Sequence, residues 1–191
     1  MDNIKLHLGC GKRILPGYVH IDLDNHPHID YCHDIKTLPM FPEESVDLIY
    51  SCGTFEYFDR YEALDILKEW SRALKVGGLL RISVPDFESV IKVYLKNGKN
   101  LNGEGILGLL YGRIKIETSS GSEIMYHKTV YDFASLKKLL GLSGFNNIKK
   151  YNWWDVLPSD YDDYSMAYMP YKDKNGIQMS LNIECVKEDR N

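Results

Sequence analysis

The sequence predicts an α/β fold around a mostly parallel sheet, and three observations carry that reading. Short apolar or alternating runs recur along the first half of the chain. A glycine turn directly follows the first of them, and an amphipathic helical segment separates the fourth from the fifth. Strand, helix and strand in that order need a crossover connection, which places the two strands parallel.

The elements follow in order. Ile4 to Leu8 (IKLHL) alternates and stops at Gly9, and Tyr18 to Asp22 (YVHID) repeats the pattern and stops at an acid. His28 to Cys32 reads as a short third strand, Val46 to Ser51 (VDLIYS) as a buried fourth, and Leu79 to Val84 (LLRISV) as a fifth closed by Pro85. Between the last two, Tyr61 to Lys75 places Ala63, Leu67, Trp70 and Leu74 on one helical face, before Gly77 and Gly78 stop the helix. From Asp86 to Met125 the texture changes. Helical pieces around Phe87 to Leu95 and Ile106 to Arg113 are joined by KNGKNLNGEG, so residues 86–126 are expected to form a lid or substrate-binding insertion over the sheet. Asp132 can cap a helix running to about Leu140, and Asn147 to Trp153 and Gln178 to Lys187 complete the strands. The aromatic, acidic loop WWDVLPSDYDDYSMAYMPYKDKNG lies between those two strands.

With 191 residues, 44% of them hydrophobic, the chain suits one domain with one sizeable core. Lysine and arginine number 23 against 27 acids, and no basic stripe is available to track a phosphate backbone, which disfavours long nucleic acids as partners. No apolar run reaches the roughly 18 residues of a membrane span, and MDNIKLHLG lacks a basic-then-apolar leader, so a soluble cytoplasmic protein is expected. The four cysteines are scattered and read as buried or half-buried free thiols. His26, His28, Cys32 and His33 cluster in sequence, but strand alternation points them apart, and no metal is expected.

The chemistry starts at LHLGCGK, where Gly9 and Gly11 let the backbone turn sharply and come close to a ligand. Arg13 stands where a dinucleotide fingerprint has its third glycine, and Gly9 to Gly17 is too short for a helix that could offer its N-terminus to a pyrophosphate. That argues against NAD or FAD and for a cofactor without phosphate. Asp22, at the carboxyl end of the second strand, can accept hydrogen bonds from two ribose hydroxyls.

Four ordered blocks, LHLGCGKRILPGYVHIDLD, HDIKTLPMFPEESVDLIYSCGTFEYF, ILKEWSRALKVGGLLRISVPD and YHKTVYDFASLKKLLGLSGFNNI, resemble the class I S-adenosylmethionine-dependent methyltransferases. Within them they are similar to a compact bacterial group, resembling methyltransferase type 11, that is often associated with glycan biosynthesis. The resemblance implies a Rossmann-like methyltransferase fold: a mostly parallel seven-stranded sheet with an antiparallel last strand and shortened early helices. It also implies S-adenosylmethionine as cofactor, with Gly9, Cys10 and Gly11 under its methionine part and Asp22 on its ribose. Leu23 would press on adenine, Asp34 and the backbone of Ile35 would read the ring edge, and Ser51 would sit near the methionine carboxylate or the reactive methyl.

Two departures from the group stand out. Asp22 to Ile29 is too short for the usual second helix, so the far sheet edge should be thinly covered, which a homodimer would remedy. Tyr57 replaces a histidine that relatives commonly show in SCGTFEYF. His127, in MYHKT, is then the expected general base, with Tyr57 its rival. Tyr57, Tyr111, Tyr126, Trp153, Trp154, Tyr161 and Tyr164, with Asp155 and Asp160 nearby, suit a sugar acceptor, although a small protein also uses such aromatics to close its core. The expected activity is O-methylation of a sugar or nucleotide-linked sugar in surface-glycan assembly. The alternatives are a small-molecule N- or O-methyltransferase unrelated to glycans, and a cofactor-binding protein without transfer activity.

Overall fold

The computed structural model describes residues 3–96, 98–102, 105–118, 121–170 and 173–189. Its first strands are β1 (Lys5–Leu8), β2 (Val19–Asp22), β3 (Tyr31–Cys32) and β4 (Val46–Cys52). The helix α1 (Ala63–Ala73) leads straight into β5 (Leu74–Pro85). Then come α2 (Phe87–Lys96), α3 (Ile106–Tyr111), β6 (Arg113–Thr118), β7 (Gly121–Tyr126) and α4 (Phe133–Leu142). The chain closes with β8 (Phe145–Lys150), β9 (Tyr168–Met169), β10 (Ile177–Gln178) and β11 (Ser180–Lys187).

Seven strands form the main sheet in the order β3-β2-β1-β4-β5-β11-β8. β1 pairs parallel with β2 and β4, and β4 pairs parallel with β5, whereas β11 runs antiparallel between β5 and β8. This is the expected α/β architecture, including the antiparallel last strand. The first strand, β1, lies near the middle of the order, with the chain leaving it in opposite directions toward β2 and β4. The carboxyl ends of these strands therefore splay around a crevice, where ligands of open α/β sheets bind.

One face of the sheet is closed by α1 and α4. Ala63, Ile66, Leu67, Trp70 and Ala73 of α1 are buried against the sheet, and the Trp70 indole donates to the Ile35 carbonyl at 2.7 Å. Asp132 caps α4 as expected, accepting from the Ser135 amide while the Ser135 hydroxyl accepts from the Asp132 amide. The other face is covered differently. Leu48, Tyr50 and Cys52 of β4 pack with Trp153, Leu157, Tyr161 and Tyr168, so the aromatic loop does the work of the missing helices. Its anchor is Asp163, buried, which accepts from the Tyr50 hydroxyl and from both the amide and the hydroxyl of Ser165.

Several boundaries differ from the sequence reading. The third strand shrinks to Tyr31–Cys32, a short exposed edge. α1 ends at Ala73 rather than at the glycine pair, because Leu74 already adopts extended backbone and the fifth strand runs on through Gly77 and Gly78. The strand expected from Asn147 to Trp153 runs instead over Phe145–Lys150, and Trp153 opens a 3-10 turn. The hairpin β6–β7, paired from Arg113↔Tyr126 to Thr118↔Gly121, was not expected. Of the cysteines, Cys32 is exposed rather than buried. Part of the insertion expected over residues 86–126, at 97, 103, 104, 119 and 120, lies outside the described residues. Among the described residues no helix is long and apolar enough to cross a membrane.

Candidate active site

A cavity of about 560 Å³ opens at the carboxyl ends of β1, β2, β4 and β5. Its size falls in the range of roughly 300–1,000 Å³ typical of small-molecule sites. One end is built by the turn after β1. Gly9 has φ +66, and a Cβ there would collide with the Thr54 side chain, whose hydroxyl donates to the Gly9 carbonyl at 3.0 Å. Only glycine allows both the left-handed backbone and that close approach. The Gly11 amide then donates to Asp22 Oδ2 at 2.7 Å, and the Asp24 amide donates to Oδ1 at 2.8 Å. Two backbone donors thus fix the rotamer of a buried carboxylate at the cavity wall. Each of its oxygens retains accepting capacity for a ligand hydroxyl.

Gly9, Cys10, Gly11, Asp22, Leu23, Asp34 and Ile35, all predicted from sequence, line this one cavity. Cys10 is held shut by burial, which pushes its thiol up to about 12, so it is a neutral wall rather than a nucleophile. Asp34 Oδ1 caps the following turn through the Lys36 amide at 3.0 Å, and the Ile35 carbonyl is taken by Trp70. Ser51 differs: it is fully buried and stands behind the wall, while Cys52, Gly53 and Thr54, which follow it, reach the cavity.

At the other end, His127 and Tyr57 also line the cavity, with their rings edge to face at 4.6 Å. His127 Nδ1 lies 3.0 Å from the Leu109 carbonyl. A carbonyl only accepts, so Nδ1 carries the proton, and Nε2 of the neutral ring is left as the accepting atom. Gly112 makes this placement possible, since a Cβ at that position would overlap the imidazole. Burial lowers the His127 pKa below the ordinary imidazole value, which keeps the ring unprotonated. For Tyr57, the rival candidate, burial raises the phenol pKa above the ordinary tyrosine value. A tyrosine so shifted is a poor base near neutral pH.

Glu56 is the residue that sequence reasoning missed. Its carboxyl is buried on the cavity wall, with Oε1 3.7 Å from His127 Nε2 and Oε2 without a hydrogen-bond partner among the described residues. Burial pushes its pKa up to about 8. An acid in an otherwise apolar block just after a strand was the available signal, but in sequence it read only as a charge flanking Tyr57.

The hairpin β6–β7 spans the cavity between the two ends. Ile114, Ile116 and Met125 face into it, and the Glu117 amide donates to Asp24 Oδ1 at 3.3 Å. A second cavity of about 540 Å³ lies alongside and shares Arg13, Tyr164 and Ala167 with the first. Among the described residues no group of three or more His, Cys, Asp or Glu is arranged to hold a metal ion.

Comparison with known proteins follows this geometry. Residues 18–82 match the family described as a methyltransferase domain. No curated protein sequence matches the chain. Among solved structures, an S-adenosylmethionine-dependent methyltransferase from Methanosarcina mazei superposes with TM-score 0.57 at 17% identity, covering 98% of this chain and 93% of that one. An S-adenosylmethionine-dependent methyltransferase from Clostridium acetobutylicum gives TM-score 0.56 at 13% identity, over 99% and 85% of the two chains. The Burkholderia thailandensis 1,6-didemethyltoxoflavin-N1-methyltransferase, solved with bound 1,6-didemethyltoxoflavin and S-adenosylhomocysteine, gives TM-score 0.54 at 12% identity, over 97% and 71% of the two chains. These likenesses establish the Rossmann-like methyltransferase fold. The domain match and the S-adenosylmethionine-dependent neighbours together bear out the enzyme class and the cofactor expected from sequence: an S-adenosylmethionine-dependent methyltransferase.

Proposed function

We propose that this methyltransferase acts on a hydroxyl of a small polar acceptor, a sugar or nucleotide-linked sugar, with His127 as the general base. The observation that carries the reading is the state of His127: Nδ1 occupied by Leu109, Nε2 left to accept, and the ring held neutral by burial on the cavity wall. S-adenosylmethionine, when bound, supplies a methyl group already activated on a sulfonium, so the protein's task is positioning and proton removal. The glycine turn and Asp22 hold the cofactor's amino-acid and ribose parts, while Leu23, Asp34 and Ile35 bound its adenine. An acceptor hydroxyl lying against His127 Nε2 passes its proton there as it is methylated. Glu56, at 3.7 Å, keeps its own proton near neutral pH through burial; the imidazolium formed beside it lowers its pKa, and loss of that proton to solvent leaves a carboxylate that stabilises the cation.

The second cavity supports the sugar. It joins the exposed Tyr164 to Asp160 and Asp162, combining an apolar plane for a C–H face with carboxylates for hydroxyls, while Trp153, Tyr161 and Tyr168, which also line it, are buried in the packing against β4. We read the hairpin β6–β7 as the cover that excludes water during transfer, tied to the ribose end through Asp24.

Incubation with labelled S-adenosylmethionine and a panel of free sugars, nucleotide sugars and small aromatic amines and phenols tests this. Label is expected in the carbohydrate arm. Transfer confined to the aromatic arm would favour a small-molecule N- or O-methyltransferase unrelated to glycans, a second reading to which the flat walls of Tyr57, Phe58 and Tyr164 lend support.

A further inference from the structure

The charges around the main cavity are divided by position. Asp22, Asp24 and Asp34 stand at the end assigned above to ribose and adenine. Each is engaged there by backbone amides, of Gly11 and Asp24, of Glu117, and of Lys36 respectively. The end where His127 and Glu56 meet carries Arg113 on its wall, the first residue of β6 and the direct neighbour of the glycine that packs on the His127 ring.

Of the other cations that line the cavity, Lys12 stands in the glycine turn at the ribose and adenine end, and the remaining two are occupied. Lys115 is paired with Glu117 at 2.7 Å. Arg13, leaving the glycine turn, donates to the Asp162 carbonyl at 2.9 Å and lies over the Tyr164 ring at 4.8 Å. The Arg113 side chain has no hydrogen bond or ion pair among the described residues. A guanidinium is always charged and offers five donors in a planar fork matched to an oxyanion. Held at a cavity wall without a protein acceptor, it is solvated by water that a ligand phosphate or carboxylate displaces through two parallel hydrogen bonds.

We propose that the acceptor carries an anionic group, a phosphate or a carboxylate, which Arg113 binds while the hydroxyl to be methylated lies against His127. This rests on the methyltransferase reading above and narrows its acceptor: a neutral sugar leaves Arg113 unused, whereas a sugar phosphate or a uronic acid fills both ends of the acceptor site.

Calorimetry on the protein loaded with S-adenosylhomocysteine tests it, with glucose 1-phosphate, glucuronate, glucose, phenyl phosphate and benzoate as probes. The expected result is that an anionic probe binds at least about tenfold more tightly than glucose, that Arg113→Gln removes this margin, and that Arg113→Lys restores part of it. S-adenosylhomocysteine should bind all three proteins alike. Preference between the phosphate and carboxylate probes identifies which group the site takes. The proposal is overturned if no anionic probe binds in the millimolar range, if glucose binds as well as the anions, or if the margin survives in Arg113→Gln. Tight glucose binding indifferent to charge would keep the sugar and remove the anion site. Arg113-dependent binding of phenyl phosphate and benzoate without any preference for the sugar probes would keep the anion site and remove the sugar.

Discussion

The two ends of the active-site cavity are made by different means. The cofactor end is built from the main sheet: Gly9, Gly11 and Asp22 sit at the ends of β1 and β2, whose strand residues are almost entirely buried and whose register is fixed by parallel neighbours on both sides. The acceptor end is assembled from pieces far apart in sequence. Glu56 comes from a 3-10 turn, Arg113 from a hairpin strand largely exposed to solvent, and His127 from the segment that follows it. A cofactor that never changes is met by the least deformable part of the fold, and an acceptor that differs between enzymes is met by its additions. The rigid end should therefore fail by unfolding or loss of cofactor, and the assembled end by loss of turnover.

Trp70→Ala should give the largest effect. Trp70 is fully buried in the α1 face and holds the Ile35 carbonyl beneath the cofactor end. Truncation leaves a cavity and an unpaired carbonyl, and should cost about 3–5 kcal/mol in denaturant unfolding. A loss under about 1 kcal/mol would show that the sheet does not make this end rigid.

His127→Ala should act on turnover alone, lowering kcat on the true acceptor by on the order of a hundredfold while S-adenosylhomocysteine binds as before. Because burial lowers the His127 pKa, the acid limb of kcat/KM should fall below the ordinary imidazole value near pH 6.5 and vanish in the variant. Glu56 gives the same pair a stability signature of opposite sense. Its folded pKa is raised to about 8 from an ordinary 4.5, so between those values the unfolded chain releases a proton that the folded chain keeps. Stability should therefore fall as pH rises from 4.5 to 8, and Glu56→Gln should flatten that slope of Tm against pH. Equal slopes would mean that Glu56 is ionised in the fold.

Asp22→Ala should weaken cofactor binding by about 2 kcal/mol, through loss of charge-assisted bonds to the ribose. Calorimetry with S-adenosylhomocysteine measures it directly. An unchanged affinity in a folded variant would detach the cofactor from the end that the sheet builds.

What the sequence made legible follows the same division. The glycine turn, Asp22 and the order of strands are local signals, readable because period-two alternation and an acid at a strand end survive without tertiary context. Seven of the eight residues assigned to the cofactor line the cavity, and Ser51 misses it because a one-residue step along a strand turns a side chain to the opposite face. The acceptor end was legible only at His127 and Tyr57. Glu56 draws its chemistry from burial, which the chain acquires only when residues 127–129, after the hairpin, close on the 3-10 turn. The hairpin itself was hidden because RIKIET, although it alternates, directly follows a segment read as helical, and its partner GSEIMY does not alternate. The aromatic loop was legible in composition but not in task, since the burial of Trp153, Tyr161 and Tyr168 depends on β4 presenting Tyr50 to them.

The smallest expected effect probes the seam between the two ends. Asp24 belongs to the cofactor end, since its amide bonds to Asp22, yet its Oδ1 accepts the Glu117 amide of the hairpin at 3.3 Å. Asp24→Ala removes that acceptor and leaves an exposed amide to water, a change worth about 0.5–1 kcal/mol and confined to the opening of β6–β7. Hydrogen exchange at Glu117 and its hairpin neighbours should then accelerate by roughly twofold to fivefold, with the amides of β1, β2 and β4 unmoved. Asp24→Asn, which keeps an oxygen acceptor, should restore most of the protection. If both substitutions leave hairpin exchange unchanged, the cover is held by its own apolar contacts at Ile114, Ile116 and Met125, and the two ends are mechanically independent. If the strands of the main sheet also accelerate, the seam is part of the core, and the contrast between a rigid end and an assembled one no longer holds.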